Sequence, residues 1–334
     1  MHPGDNPPAV FAIVPPNGPV SGGTPVQISG NNFAAGAEVT IGGVPATDVI
    51  VNSATSISAK TPARPSTGPA DVTVTVAGKV GTLAAAFTYQ PDPIAPVIDG
   101  ITARGSRPNE PAGFADIGEA IVVTATVTDA DTPIEQLQFQ WTADLGTFSG
   151  SGASVTWRAP ADAPTPRAVT LTLTVADNAG SAKSTTTVSL HNSVKEVGDL
   201  SREFLLDFSD SSKPAAFVVR NFSKSLRCEA ERDAEFTQID DNRRLYKITS
   251  SSVGPATVNV QFASRPCTYE PRNGDACATI PATWNSVCVT SDPACVAGKA
   301  DGVDFVTAVY EQSEWKLCAS YFQGIGATLR GFIR

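Results

Sequence analysis

Along the first ninety residues apolar side chains recur in short, mostly alternating runs. Val26-Gln27-Ile28, Glu38-Val39-Thr40-Ile41, Val49-Ile50-Val51, Ser56-Ile57-Ser58-Ala59 and Val72-Thr73-Val74-Thr75-Val76 carry the pattern. A period of two is the spacing of a strand with one buried face. Turn clusters separate the runs: Pro15-Pro16-Asn17-Gly18, Ser21-Gly22-Gly23-Thr24, Gly42-Gly43, and Pro62 to Pro69. This grammar predicts an antiparallel β-sandwich over residues 8–90. It returns over residues 94–193, with strands expected at Ala120 to Val127, Leu137 to Thr142, Ser154 to Arg158, Val169 to Val175 and Ser184 to Leu190. Between the two lies Gln90-Pro91-Asp92-Pro93-Ile94-Ala95-Pro96. A proline-rich linker is extended and semi-rigid, about 3.1 Å per residue and so some 20 Å long, which predicts an extended stalk.

From Val194 the period changes. Val194, Val197, Leu200, Phe204, Leu205 and Phe208 recur at three and four, which is helical spacing. Lys213-Pro214 opens a second short helix, with proline suited to a first turn. Glu229 to Leu245 reads as a third, charged helix with Ala230, Ala234 and Ile239 inward. Strands follow at Tyr246 to Ser250, Thr257 to Phe262, Ala278 to Asn285, Val303 to Tyr310 and Trp315 to Phe322. Helices followed by a meandering sheet predict an α+β domain over residues 194–323. The remaining stretch, 324–334, is apolar, glycine-rich and basic at its end; it reads as a strap over that domain, or else as a segment that docks on a partner.

Residues 8–90 resemble the IPT/TIG family of immunoglobulin-like domains. The matching stretches run from Ile13-Val14-Pro15-Pro16-Asn17-Gly18 to Gly22-Gly23-Thr24, then Ile28-Ser29-Gly30-Asn31-Asn32-Phe33, Val39 to Ala46, Thr61-Pro62-Ala63 and Phe87-Thr88-Tyr89. The resemblance implies a binding or spacer module of cell-surface proteins. Residues 94–193 resemble PKD-like bacterial immunoglobulin-like domains through Val127-Thr128-Asp129-Ala130-Asp131, Phe139-Gln140-Trp141, Val155-Thr156-Trp157 and Leu171 to Gly180. That implies that Trp141 is the core tryptophan of a central strand. Residues 194–323 resemble the NTF2-like superfamily through their layout and the closing hairpin Asp304 to Glu311 and Trp315-Lys316-Leu317-Cys318. The expected fold is therefore multidomain: two all-β sandwiches, then an α+β NTF2-like cone of helices on a curved antiparallel sheet.

Charge and cysteine usage narrow the setting. The 334 residues carry 24 Lys and Arg against 33 Asp and Glu, a net charge of −9. A phosphate-backbone binder needs a basic face, so nucleic acid is excluded as a partner. Intracellular IPT/TIG members bind DNA through basic loops, but residues 8–90 offer only Lys60, Arg64 and Lys79. No run reaches the roughly 18 apolar residues of a membrane helix. All six cysteines lie between Cys228 and Cys318, which reads as a disulfide framework in an oxidising compartment. The expected location is extracellular, cell-surface or periplasmic, with a leader removed and Met1 supplied for expression. The expected pairing is Cys267–Cys277, Cys288–Cys295 and Cys228–Cys318. The first two pairs flank turns, Pro271 to Asp275 and Ser291 to Ala294, that bring their ends within disulfide reach.

Candidate chemistry is sparse. His2 and His191 are the only histidines, so most histidine-based catalysis is excluded. Asp129, Asp131 and Asp177 form the one metal-like set. Calcium takes six to eight oxygens, whereas Asp also caps turns through its own backbone, and capping is the favoured account. An acid–base pair in the C-terminal domain would draw on Asp240, Asp241, Asp304 or Glu311 with Tyr246, Tyr269, Tyr310 or Tyr321. Asp240-Asp241 reads instead as an ion-pair cluster with Arg243 and Arg244, and Asp304 and Tyr310 lie too far apart along a strand to act on one bond. Asn221-Phe222-Ser223 matches a glycosylation triplet and is assigned no role. No catalytic residues and no cofactor are expected. The function expected is non-catalytic attachment, binding or assembly through a cell-surface protein or glycan of unknown identity. The rivals are a polysaccharide accessory module, which needs an exposed aromatic platform, and an enzyme, which needs a deep pocket around a perturbed carboxylate.

Overall fold

The computed structural model describes residues 6–262, 274–293 and 295–326. The chain forms two compact units. The first holds residues up to 95 with the loops 129–132 and 177–180; the second holds the rest, so the middle sandwich and the C-terminal domain share one unit.

The first unit has nine strands, β1 (Ala9–Val14), β2 (Asn17–Pro19), β3 (Pro25–Asn31), β4 (Glu38–Ile41), β5 (Val44–Pro45), β6 (Thr47–Ser53), β7 (Ser56–Lys60), β8 (Gly68–Val76) and β9 (Lys79–Gln90), and the five alternating runs fall on β3, β4, β6, β7 and β8. The nine strands form two sheets in the orders β1-β3-β7-β6 and β2-β9-β8-β4-β5. Alternation sends Ile28, Ile57, Val72, Val74 and Phe87 inward, all at 0% exposure. Gly30 is required by close approach, since a Cβ there would lie 2.1 Å from the Ala9 carbonyl oxygen and 2.3 Å from the Phe33 ring.

The middle sandwich comprises β10 (Val97–Arg104), β11 (Phe114–Asp116), β12 (Ala120–Thr128), β13 (Gln138–Ala143), β14 (Thr147–Ser149), β15 (Ser154–Arg158), β16 (Arg167–Ala176) and β17 (Ser181–His191). Its sheets run β10-β12-β15-β14 and β11-β17-β16-β13, with β11 parallel to β17. Trp141 is not on a central strand as its resemblance implied: β13 is an edge, and Trp141 is half-buried with its indole N–H donated to the Gly152 carbonyl at 3.0 Å. Trp157, between β12 and β14, takes the core position at 0% exposure. Both tryptophans sit in alternating runs, and strand order, which only tertiary pairing sets, decides which run is flanked on both sides.

In the C-terminal domain, α1 (Ser193–Ser209), α2 (Ala215–Val218) and α3 (Glu229–Leu245) precede β18 (Tyr246–Val253), β19 (Thr257–Val260), β20 (Ala276–Cys288), β21 (Gly298–Glu311) and β22 (Glu314–Gly326). The sheet order is β18-β20-β21-β22, with β19 on β20. The expectation of an α+β NTF2-like cone is overturned: the described residues are 52% strand and 13% helix, in five sheets, and form a mostly β protein. The expectation rested on helices preceding strands, an order many architectures share. The strands also exceed their expected lengths; β21 and β22 hold 14 and 13 residues.

Helix phase departs from expectation too. On α1, Val197, Phe204, Leu205 and Phe208 are buried, but Val194 is 59% exposed. On α3, Ala230 and Ala234 face solvent, while Glu235, Ile239 and Asn242 are buried. A disulfide joins Cys228, at the start of α3, to Cys318 on β22, with Cα atoms 5.0 Å apart. Positions 228, 235, 239 and 242 fall on one helical stripe, so the cross-link sets which side of this charged helix turns inward. A second disulfide joins Cys288 and Cys295. Cys267, and with it the third expected pair, lies outside the described residues, as do His2, Tyr269 and the strap or docking segment beyond 326.

Cys228–Cys318 closes a loop of 90 residues between two fully buried side chains. Replacing both by alanine should lower the stability of the second unit by on the order of 4 kcal/mol, read as a drop in its unfolding midpoint. A change within error would show that the disulfide does not set the fold of α3.

Candidate functional site

The densest polar cluster lies where the middle sandwich meets the C-terminal domain. Phe114 on β11 is 1% exposed and belongs to the C-terminal core. Its ring centroid is 4.8 Å from Tyr310, 5.1 Å from Phe262 and 5.2 Å from His191, whose imidazole stacks on it within 5° of parallel. The Arg107 guanidinium lies over both Phe114 and Phe262, at 5.4 and 5.0 Å. It also reaches Glu110 at 2.8 Å and Asp116 and Glu119 at 2.9 Å each. Burial works against its charge, but these carboxylates outweigh burial and hold the proton more firmly than in free arginine. For Glu119 burial wins, and its carboxyl is pushed up despite the Asp116 N–H and Arg107.

His191 ends β17 and is 1% exposed. Its Nδ1 lies 2.7 Å from Glu196 Oε2, and its Nε2 lies 2.9 Å from Ser189 Oγ and 3.0 Å from the Tyr310 hydroxyl. Because Glu196 is an acceptor, it selects the Nδ1–H tautomer. Nε2 is then the acceptor that two hydroxyls share. Burial alone would raise the Glu196 carboxyl; hydrogen bonds from His191 and the Asn192 N–H outweigh it and hold the carboxyl below its usual range. Alongside, Asp116 Oδ1 accepts from both the N–H and the hydroxyl of Ser193, and the Trp315 indole donates to Ser193 Oγ at 3.1 Å.

Ser189, His191 and Glu196 are thus spaced like a nucleophile, its base and an orienting acid. The arrangement lacks the other half of such a site. Tyr310 occupies the second approach to Nε2, and Phe114 covers the imidazole face. The cluster fastens two domains and pairs most of the polar groups that their contact buries, Arg107 Nε excepted. Sequence reasoning singled out His191 only as a histidine without a catalytic partner and passed over Arg107, Asp116 and Glu196, because no local pattern marks them. The nearest signal was the Tyr310-to-Trp315 hairpin.

The carboxylates named as acid–base candidates do not converge. Arg244 pairs with Asp240 and Asp241 on exposed helix surface. Asp304 is fully buried and accepts from Ser320 Oγ at 2.9 Å. Glu311 accepts from Ser223 Oγ. Of the phenols, Tyr246 accepts from the Val296 N–H at 3.2 Å, Tyr310 serves His191, and Tyr321 packs against Cys277 and Phe305. Ser223 of the glycosylation triplet is 1% exposed.

Asp129, Asp131 and Asp177 do come together, with one oxygen from each within 4.8 Å of the others. Backbone N–H groups account for the geometry. Asp129 Oδ1 accepts from Asp131 and Thr132, at 3.0 and 2.8 Å, and these bonds hold its carboxyl below the usual range. Asp177 Oδ1 accepts from Ala179 and Gly180, and Asp131 from Ile94. Asp129 Oδ2 is buried without a partner.

Two expectations follow. A carboxylate depressed in the folded state contributes stability that is present at neutral pH and lost as pH falls through its folded value. Glu196→Gln should therefore shrink the acid-side fall of the unfolding midpoint between about pH 5 and pH 3; an unchanged slope would remove Glu196 from the linkage. Turn capping predicts that Asp129→Asn moves the unfolding midpoint only slightly and that a chelator leaves it unmoved. A calcium-dependent rise would assign the three aspartates to the ion instead.

Comparison with known proteins places one of the three segments in a family. A search of curated proteins gives no match. Among solved structures, the extracellular region of plexin A4 is 24% identical, covering 48% of this chain and 13% of that one, with a TM-score of 0.25. Titin fragment I67–I69 is 10% identical over 55% of this chain and 66% of that one, with a TM-score of 0.33. The D0–D1 domain of intimin is 15% identical over 54% and 98%, with a TM-score of 0.21. The chain thus corresponds to a small part of plexin A4, and likeness at these scores carries no argument about function. The family-level match is specific: residues 8–90 fit the IPT/TIG domain model, and the N-terminal sandwich is an IPT/TIG domain.

Proposed function

We propose that this chain is a non-catalytic modular protein of the extracellular or cell-surface space, whose β-sandwiches present the C-terminal domain for binding, adhesion or assembly. The observation that carries the reading is the IPT/TIG domain at residues 8–90. The disulfides Cys228–Cys318 and Cys288–Cys295 support an oxidising compartment. No helix among the described residues is long and apolar enough to cross a membrane. The partner envisaged is a cell-surface protein or a glycan.

The two rivals find less support. A polysaccharide platform wants exposed indoles, but Trp157, Trp284 and Trp315 are at most 6% exposed. An enzyme needs positioned acid and base groups around an open space, and the carboxylates and phenols above are spent on separate structural bonds.

Labelling intact host cells with a membrane-impermeant amine reagent should tag the chain, through exposed lysines such as Lys60 and Lys195. Protein recovered without reductant should show no reactive thiol after denaturation. Recovery only from the cytosolic fraction, with its thiols free, would overturn the reading.

A further inference from the structure

An open groove of about 590 Å³ runs between the first half of α1 and the bend that joins β18 to β19. That volume lies within the range of small-molecule sites. On the helix side it is lined by Val194, Lys195, Gly198, Asp199 and Arg202, and on the other by residues 253–256. Val194, Gly198 and Arg202 are four apart and share one helix face. Helix and bend are in packing contact here: a Cβ on Gly198 would stand 3.4 Å from both Ala256 and Val258. The bend interrupts an edge of the sheet, because β18 and β19 both pair with β20 alone.

Arg202 is the unusual member. Its Nε donates to the Gly254 carbonyl at 2.9 Å, which fixes the guanidinium plane. Its terminal nitrogens have no carboxylate among the described residues. The neighbouring arginines of the domain are matched: Arg220 to Glu203 and Asp207, Arg227 to Asp275, Arg232 to Asp233 and Arg244 to Asp240. Arg243 uses its N–H groups on the carbonyls of Phe208, Asp210 and Lys213. Asp199, the one acid in the groove, is engaged by Lys195 at the exposed rim. A guanidinium oriented through Nε and free at its two-nitrogen end matches a carboxylate in fork geometry. Beside it Val194, 59% exposed, and the Val253-Gly254-Pro255-Ala256 bend offer apolar surface.

We propose that this groove binds a small organic acid with a short apolar chain. Arg202 takes the carboxylate, and Val194, Val253 and Pro255 cover the chain. The proposal is independent of where the protein acts and of what the sandwiches present.

Hexanoate and 1-hexanol are the probes, titrated into the full chain and followed by amide chemical shifts. Hexanoate should shift the amides of Gly198, Arg202, Gly254 and Ala256 saturably in the millimolar range, and 1-hexanol should not. Arg202→Gln should weaken hexanoate by about tenfold or more, the usual worth of a hydrogen bond to a charged group. Ala256→Glu, which sets a competing carboxylate in the groove and keeps Arg202, should abolish the response. Unfolding midpoints of both variants are read alongside, so that a misfolded variant is set aside and the other decides. Equal shifts with 1-hexanol, undiminished binding in either folded variant, or no saturable shift with hexanoate would each overturn the proposal.

Discussion

Phe114 belongs to the middle sandwich by sequence and to the C-terminal core by packing, and the second unit is organised around that fact. It sits on a strand of only three residues, yet is 1% exposed among Phe262, Tyr310 and His191. Burying an aromatic ring from one domain in the core of another removes both surfaces from water together, so the C-terminal core is completed by a residue of the middle sandwich. The chain leaves little freedom at this joint. β17 ends at His191 and α1 begins at Ser193, with only the helix cap Asn192 between them.

That contact forces an electrostatic solution. Arg107, Asp116, Glu119, His191 and Glu196 lie beside the buried rings, and an isolated charge there would cost several kcal/mol. Each finds an oppositely charged or hydrogen-bonding partner, and only Arg107 Nε is left without one. Arg107 answers three carboxylates, Asp116 also takes the Ser193 groups at the start of α1, and Glu196 takes His191 and the Asn192 N–H. The opposing shifts of Glu119 and Glu196 follow from their settings: desolvation dominates the first, and donated hydrogen bonds dominate the second. A serine–histidine–glutamate chain is the by-product of this matching, which is why its spacing resembles that of a nucleophilic site although it is closed over by Phe114 and Tyr310.

The same economy of charge marks the groove on α1. Among the described arginines of the domain, Arg202 stands apart in having its Nε on the Gly254 carbonyl and no described carboxylate at its two terminal nitrogens. It lies where the sheet edge is broken by Gly254-Pro255 and where Gly198 packs the helix close to the bend. Such sites arise at edges because there backbone and side chains meet without a further layer to cover them.

Local pattern determined much of this protein. Period-two alternation located β3, β4, β6, β7 and β8 of the first sandwich and β12, β13, β15, β16 and β17 of the second but not the other strands, and the IPT/TIG stretches identified residues 8–90, because those residues bury one face of each strand and turn on their own glycines and prolines. Period 3.6 located α1, and Pro214 marked α2. Tertiary structure decided the rest. It placed Trp141 on an edge strand, still packed against the core, and Trp157 on an inner one, since strand order is set by pairing across the sheet. It turned Glu235 and Asn242 inward on α3 in place of Ala230 and Ala234, since a helix so rich in charge carries no apolar stripe to set its phase, and the bond to Cys318 does so. It overturned the NTF2-like cone, which had been read from element order. It brought Arg107, Asp116, His191, Glu196 and Tyr310 to one place from positions up to two hundred residues apart. No periodicity reports such a meeting, because the pattern along a chain records which face of an element is buried and not what it is buried against.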